Sequence, residues 1–163
     1  MTNKSFYSHF EGSLFIKRLG GFIDQNQTTK IKGFTGSSLS FYFSAIINRQ
    51  SKPTLFIFNS KEDSLYFLND IETLNPDKQI FYFPETTKEP YSDKEPNNYN
   101  LLQRTELIEH LNFSKNKNSI IVTHLLAISE NQVNKNELKK SSIKLKVDQN
   151  ISFDKLNEQL FEL

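Results

Sequence analysis

Apolar and polar positions fall into blocks along this chain, and the period of each block changes. Residues 4–25 place Phe6, Phe10, Leu14, Phe15, Leu19, Phe22 and Ile23 at helical spacing. The Gly20-Gly21 pair interrupts them, which predicts one or two short helices. "TTKIKGF" (28–34) is a short β-prone run. Ser37 or Ser38 can then cap a helix carrying Leu39, Tyr42, Phe43, Ile46 and Ile47 at i, i+3, i+4, i+7, i+8. "PTLFIFN" (53–59) is nearly continuous and apolar, which predicts a strand buried on both faces of a parallel sheet. Ser60 with Asp63 resembles a capping box, and Leu65, Leu68, Ile71 and Leu74 hold one face of the helix behind it.

The second half continues the alternation. "DKQIFYFP" (77–84) reads as a strand closed by Pro84, and 85–97 as a polar loop. "NYNLLQRTELIEHL" (98–111) is an amphipathic helix, and "NSIIVTHLLAI" (118–128) a strand turning into a short helix. Residues 129–142 are polar and expected to be exposed. "SIKLKV" (142–147) alternates as a half-buried strand does. "SFDKLNEQLFEL" (152–163) begins with a Ser cap and runs helical to the last residue, which reads as a chain cut within a longer protein. Short apolar strands alternating with helices imply βαβ crossovers, so the expected class is α/β with a mostly parallel sheet flanked by helices. The change of pattern places a boundary near 142.

Composition narrows the function classes. Fifteen Phe and six Tyr supply enough apolar area for a core in 163 residues. Ala occurs only at 45 and 127 while Asn and Lys abound, as in AT-rich coding. The net charge of +1 carries no global signal for nucleic acid or membrane. No Cys is present, so disulfides, thiolate metal sites and Cys nucleophiles are excluded. No leader-like start and no membrane-length apolar run is found, and a cytoplasmic protein is expected. His9, His110 and His124 lack ligand spacing, so no metal is expected. Glu106, Glu109 and His110 read as a solvated helix face.

The strongest candidate for chemistry is "GFTGSSLS" (33–40). Its outline is that of a phosphate-binding loop, G-x-x-x-x-G-K-[S/T], in which glycines let N–H groups converge on an anion at a helix N-terminus. Gly33, Thr35, Gly36, Ser37 and Ser38 permit that geometry, and Ser40 stands where a magnesium-binding hydroxyl belongs. Leu39 stands where the lysine belongs. The missing charge-assisted contact is worth roughly 1.5–3 kcal/mol. No later strand ends in an acidic magnesium ligand: they close as "FIFNS", "FYFPE" and "IIVTH". The expected reading is a degenerate loop kept for its shape. The alternatives are weak anion binding and a nucleotide hydrolase using Lys30 or Lys32. Lys139, Lys140, Lys144 and Lys146 form a basic stretch, which reads as a solvated edge strand or a DNA contact.

Five segments in order resemble the N-terminal region of the bacterial transcription-repair coupling factor family. "GFTGSSLS" resembles its G-x-T-G-S loop, whose counterpart in the excision-repair helicase subunit UvrB retains the lysine. "FPETTKEPY" resembles its F-P-x-x-E-x-x-P-Y-D segment through Glu89, Pro90 and Tyr91, with Asp93 one residue late. "LLQRTELIEHL" resembles its R-L-x-x-L-x-x-L helix, with Arg104 at the arginine. "SIIVTHLLAI" resembles its strand-to-helix segment, with His124 and Leu125 replacing the usual residues. "LKVDQNISFDKLNEQLFEL" resembles the opening of its UvrA-contacting module, with Asp148 and Gln149 over the usual glycine.

The resemblance spans about residues 28–163. It implies an N-terminal helical segment (1–27), a UvrB-like degenerate phosphate-loop α/β domain (28–141) and the truncated start of a UvrA-contacting module (142–163). It further implies a scaffold without hydrolysis or cofactor, ATP being bound only by motor domains further along a longer protein. UvrA is the implied partner, held weakly by this piece. RNA polymerase and DNA would be met only through absent domains, and no membrane is involved. UvrB's lesion-clamping hairpin has no room in 85–97.

Overall fold

The computed structural model describes Phe10 and residues 12–49, 52–86, 98–114, 118–132, 134–136, 143 and 145–161. The chain falls into two compact units, Met1–Glu130 and Asn131–Leu163. In the first, α1 (Leu14–Asp24) and α2 (Ser38–Ile47) precede β1 (Thr54–Phe58), α3 (Lys61–Leu74) and β2 (Gln79–Phe83). Then follow α4 (Asn98–Phe113), β3 (Ser119–His124) and α5 (Leu125–Ser129). The three strands form a parallel sheet in the order β1-β3-β2. The class is therefore α/β, with a small parallel sheet flanked by helices.

Both faces of the sheet carry apolar side chains, as crossover helices require. Phe56, Ile120, Val122 and Tyr82 point to one face and meet Ile47, Phe67 and Ile71 from α2 and α3. Phe83 and Ile121 point to the other and meet Leu107 and Ala127. A third group, Ile16, Leu19, Ala45 and Ile46, joins α1 to α2. Ser13 caps α1 by accepting from the Ile16 N–H at 3.2 Å, and Ser60 caps α3 by accepting from the Asp63 N–H at 3.1 Å.

Four expectations change. Gly20 and Gly21 lie inside α1 and do not break it. Each costs about 1 kcal/mol relative to Ala, but Ile16 and Leu19 hold the helix by packing on α2, and packing outweighs propensity. The run 28–34 is not a strand. Its apolar side chains Ile31 and Phe34 go to the helices, and β-propensity without a partner strand builds nothing. β1 is an edge strand, and Leu55 and Ile57 are half exposed (53% and 52%). β3 is the strand buried throughout. On α3 the core face is Ser64, Phe67 and Ile71, with Leu65 turned to solvent.

In the second unit, α6 (Phe153–Phe161) forms where the Ser152 signal places it, and Phe153, Leu160 and Phe161 are exposed. The expected strand 142–147 is absent at its described positions. Leu145 and Lys146 lie outside regular structure, and a turn follows at 147–148. There the Lys146 N–H donates to Gln149 Oε1 (3.1 Å), and the Gln149 N–H donates back to the Lys146 carbonyl (3.2 Å). An alternating pattern needs a neighbouring strand to become one. No helix among the described residues is long and apolar enough to cross a membrane.

Candidate functional site

The loop 33–37 enters α2 from irregular chain. Gly33 and Gly36 have φ of 96° and 51°, the left-handed region open to glycine, so the turn depends on both. Phe34, between them, anchors the loop: its ring meets Phe15 at 6.0 Å, Tyr42 at 5.4 Å and Phe43 at 6.4 Å. Ser38 closes the turn on Thr35. Its Oγ accepts from the Thr35 N–H (2.9 Å) and donates to the Thr35 carbonyl (2.7 Å). Ser37 occupies the N-cap position without a side-chain capping bond.

The two positions that decide nucleotide chemistry are both turned inward. Leu39 packs against the core between α2, α3 and the sheet. Ser40 is buried, and its hydroxyl donates to Asp70 Oδ2 on α3 at 3.2 Å. Beside them lies a cavity of about 540 Å³. It opens between Gly36, Ser37 and Ser40, Phe58 at the carboxyl end of β1, and Asp63, Tyr66 and Asp70 of α3. Its charged lining residues are the two carboxylates, and neither Lys30 nor Lys32 reaches it. Arg49 and Lys52 sit at the opposite end of β1 instead, beside Thr54 and Leu55 in a cavity of about 430 Å³. Negative charge at the loop mouth opposes a phosphate and welcomes a cation.

A second polar group gathers at the carboxyl ends of β2 and β3, where open α/β sheets build sites. Arg104 of α4 is its hub and is buried. Its Nη1 donates to the Pro84 carbonyl (2.6 Å) and the Ala127 carbonyl (3.1 Å), and pairs with Glu130 Oε2 at 2.9 Å. The guanidinium lies 4.1 Å over the Phe83 ring. Glu130 also accepts from the Thr86 N–H and hydroxyl, both at 2.7 Å. Burial pushes the Arg104 pKa below its ordinary value, and the Glu130 charge opposes that shift. One residue thus ties together α4, the chain leaving β2, and α5.

Next to it runs a hydrogen-bonded chain. The Ser64 hydroxyl donates to the Lys61 carbonyl (2.6 Å) and meets Tyr82 Oη at 3.2 Å. Tyr82 Oη meets His124 Nδ1 at 3.4 Å, and His124 Nε2 meets Glu85 Oε2 at 3.4 Å. Lys61 Nζ reaches the other Glu85 oxygen at 3.2 Å. Ser64, Tyr82 and His124 are buried, and this chain joins α3 to the strand ends.

The structure brings Gly36, Ser37, Leu39 and Ser40 to one cavity wall and sets Arg104 apart, in the cluster at the ends of β2 and β3. Glu89, Pro90, Tyr91, Lys139, Lys140, Lys144 and His9 lie outside the described residues, and Lys146 is exposed in its turn. The His110 ring packs at a tilt of 40° against Phe81 with centroids 4.7 Å apart, and its Nε2 is buried without a hydrogen-bond partner. It is therefore more than a solvated face. Sequence reasoning missed Asp70, Ser64, Tyr82, His124, Glu85, Thr86 and Glu130 as a group. One signal was available: Ser64, Tyr82 and Thr123-His124 are polar residues at positions whose spacing assigns them to the core. Among the described residues no group of three or more His, Asp or Glu is placed to hold a metal ion. No family model, no curated protein and no solved structure matches this chain.

Proposed function

We propose that this chain is a non-hydrolysing scaffold, the N-terminal part of a transcription-repair coupling factor whose work is to recruit UvrA. The observation that carries the non-hydrolysing part is the inward turn of Leu39 and Ser40. A phosphate loop needs a cation and a free hydroxyl at those positions. Here the first is an apolar side chain packed against the core and the second is bonded to Asp70. The start of α2 and the carboxyl end of β1 line one cavity, which is compatible with that reading.

The UvrA part rests on the five sequence segments in order. Two local features agree with it. Arg104, the arginine of one segment, has a structural post that Lys cannot fill, because it combines several carbonyl bonds with a stacked plane. Asp148 has φ 63°, the conformation a glycine takes, at the place where the resembled segment has glycine. The exposed apolar residues of 145–161 suit a module completed by further chain.

A pull-down of UvrA with the chain extended through the rest of that module tests the assignment, and failure to retain UvrA refutes it. Calorimetry with Mg-ATP tests the silent loop. A micromolar dissociation constant would show that the loop is a working nucleotide site.

A further inference from the structure

We propose that Asp70 is a built-in anion at the glycine loop, and that its carboxylate keeps the mouth of α2 closed to phosphate. The inference rests on the non-hydrolysing reading above and names what enforces it. The amino end of a ten-residue helix such as α2 attracts negative charge through its first-turn N–H groups and dipole. Such an end is usually met by a capping side chain or a bound anion. In this protein Ser37 makes no side-chain cap, and Ser38 is turned back onto Thr35. The carboxylate placed beside the first turn is that of Asp70, through a side-chain contact. Its Oδ2 accepts from Ser40, the third residue of the helix, across a gap of thirty residues in sequence.

The neighbouring groups strengthen the exclusion. Asp63 lies two turns earlier on α3 and lines the same cavity. The remaining lining is uncharged: Gly36 and Ser37 from the loop, Leu39 and Ser40 from α2, Phe58 from β1, and Tyr66, Phe67 and Asn69 from α3. Among the described residues neither carboxylate is paired with a cation. A phosphate entering here would meet the helix dipole it needs and, against it, one seated carboxylate and one nearby. Loss of the lysine alone would leave a weak anion site; Asp70 makes the loop repel one.

The experiment is an amide-resolved NMR titration of the full chain with inorganic phosphate, for wild type, Asp70→Asn, Asp63→Asn/Asp70→Asn and Ser40→Ala. Asn is isosteric with Asp and still accepts the Ser40 hydroxyl, so the fold is kept, and a thermal melt checks this. If Asp70→Asn does not fold, Asp70→Ser takes its place. Wild type and Ser40→Ala are expected to show no site-specific shifts, because the charge excludes phosphate and the hydrogen bond does not. Asp70→Asn is expected to show saturable shifts confined to residues 36–40, and the double variant to bind on the order of tenfold tighter than the single one. A folded double variant that ignores phosphate overturns the proposal, as does a wild type that binds it equally well. The UvrA pull-down is read separately: the extended Asp70→Asn chain should retain UvrA as wild type does. Loss of UvrA by the wild-type chain refutes recruitment without touching the role of Asp70.

Discussion

Replacing Arg104 with Met keeps most of the side-chain length and the apolar stem but removes the charge and the donors. Three sets of contacts are then lost. Glu130 keeps its two Thr86 donors but loses its cation. The Pro84 and Ala127 carbonyls lose the guanidinium. Phe83 loses the plane stacked on it. Removing one partner of a buried ion pair costs about 3–5 kcal/mol, and each orphaned buried acceptor about 1–3 kcal/mol, in part the same energy. The expected loss is therefore about 3–5 kcal/mol, a large share of the roughly 5–15 kcal/mol that holds a domain folded. In a thermal melt the midpoint should fall by roughly 10–15 °C. The double variant Arg104→Met/Glu130→Gln should lose about 1–3 kcal/mol less than the sum of the singles, because they break the same contact. Arg104→Lys should recover only part of the loss, since an ammonium does not stack as a guanidinium does. If Arg104→Met melts within about 2 °C of wild type, or if the two single losses simply add, the hub argument fails.

Three further outcomes follow from the same geometry. Leu39→Lys restores the lysine of a phosphate loop in name, but the side chain starts from a partly buried position packed against the core; it should cost about 1–3 kcal/mol in urea unfolding and bring no ATP binding by calorimetry. Gly36→Ala must hold a Cβ at φ 51°, with nothing within 4 Å to clash, so the cost is backbone strain alone, about 1–2 kcal/mol, and a much larger loss would point to a contact the loop does not show. Tyr82→Phe removes the centre of the Ser64–His124 chain and should cost about 1–3 kcal/mol with the fold unchanged by circular dichroism; a neutral result would mean that the 3.2 and 3.4 Å contacts contribute nothing.

Much of the architecture was legible in the pattern of residues. The apolar runs at 53–59, 77–84 and 118–128 became β1, β2 and β3 with α5, and the Ser60 cap opened α3 where its spacing placed it. These signals are local. A run of five or six apolar residues between turn signals forms a strand in almost any buried setting, and a hydroxyl one residue before a helical stripe caps it wherever the helix lies. The two turn glycines were also legible, because the backbone they permit is a property of glycine itself.

Neighbours decided the rest. "TLFIF" and "SIIVTH" look alike as strings, yet the first is an edge with Leu55 and Ile57 exposed and the second is central and buried. Strand order is a choice among pairings that no single run contains. "TTKIKGF" and the described residues of "IKLKV" have strand composition and lie outside any strand. Leu39 and Ser40 declared in sequence that the lysine was missing and the hydroxyl present. Only α3, folding back thirty residues later, packed Leu39 against the core and set a carboxylate on that hydroxyl. Arg104, Glu130 and Thr86 are separated along the chain and meet only because parallel crossovers bring every strand's carboxyl end to one edge of the sheet. Propensity and capping are short-range, so sequence carries them. Charge pairing and burial depend on distance in space, and the fold alone determines that.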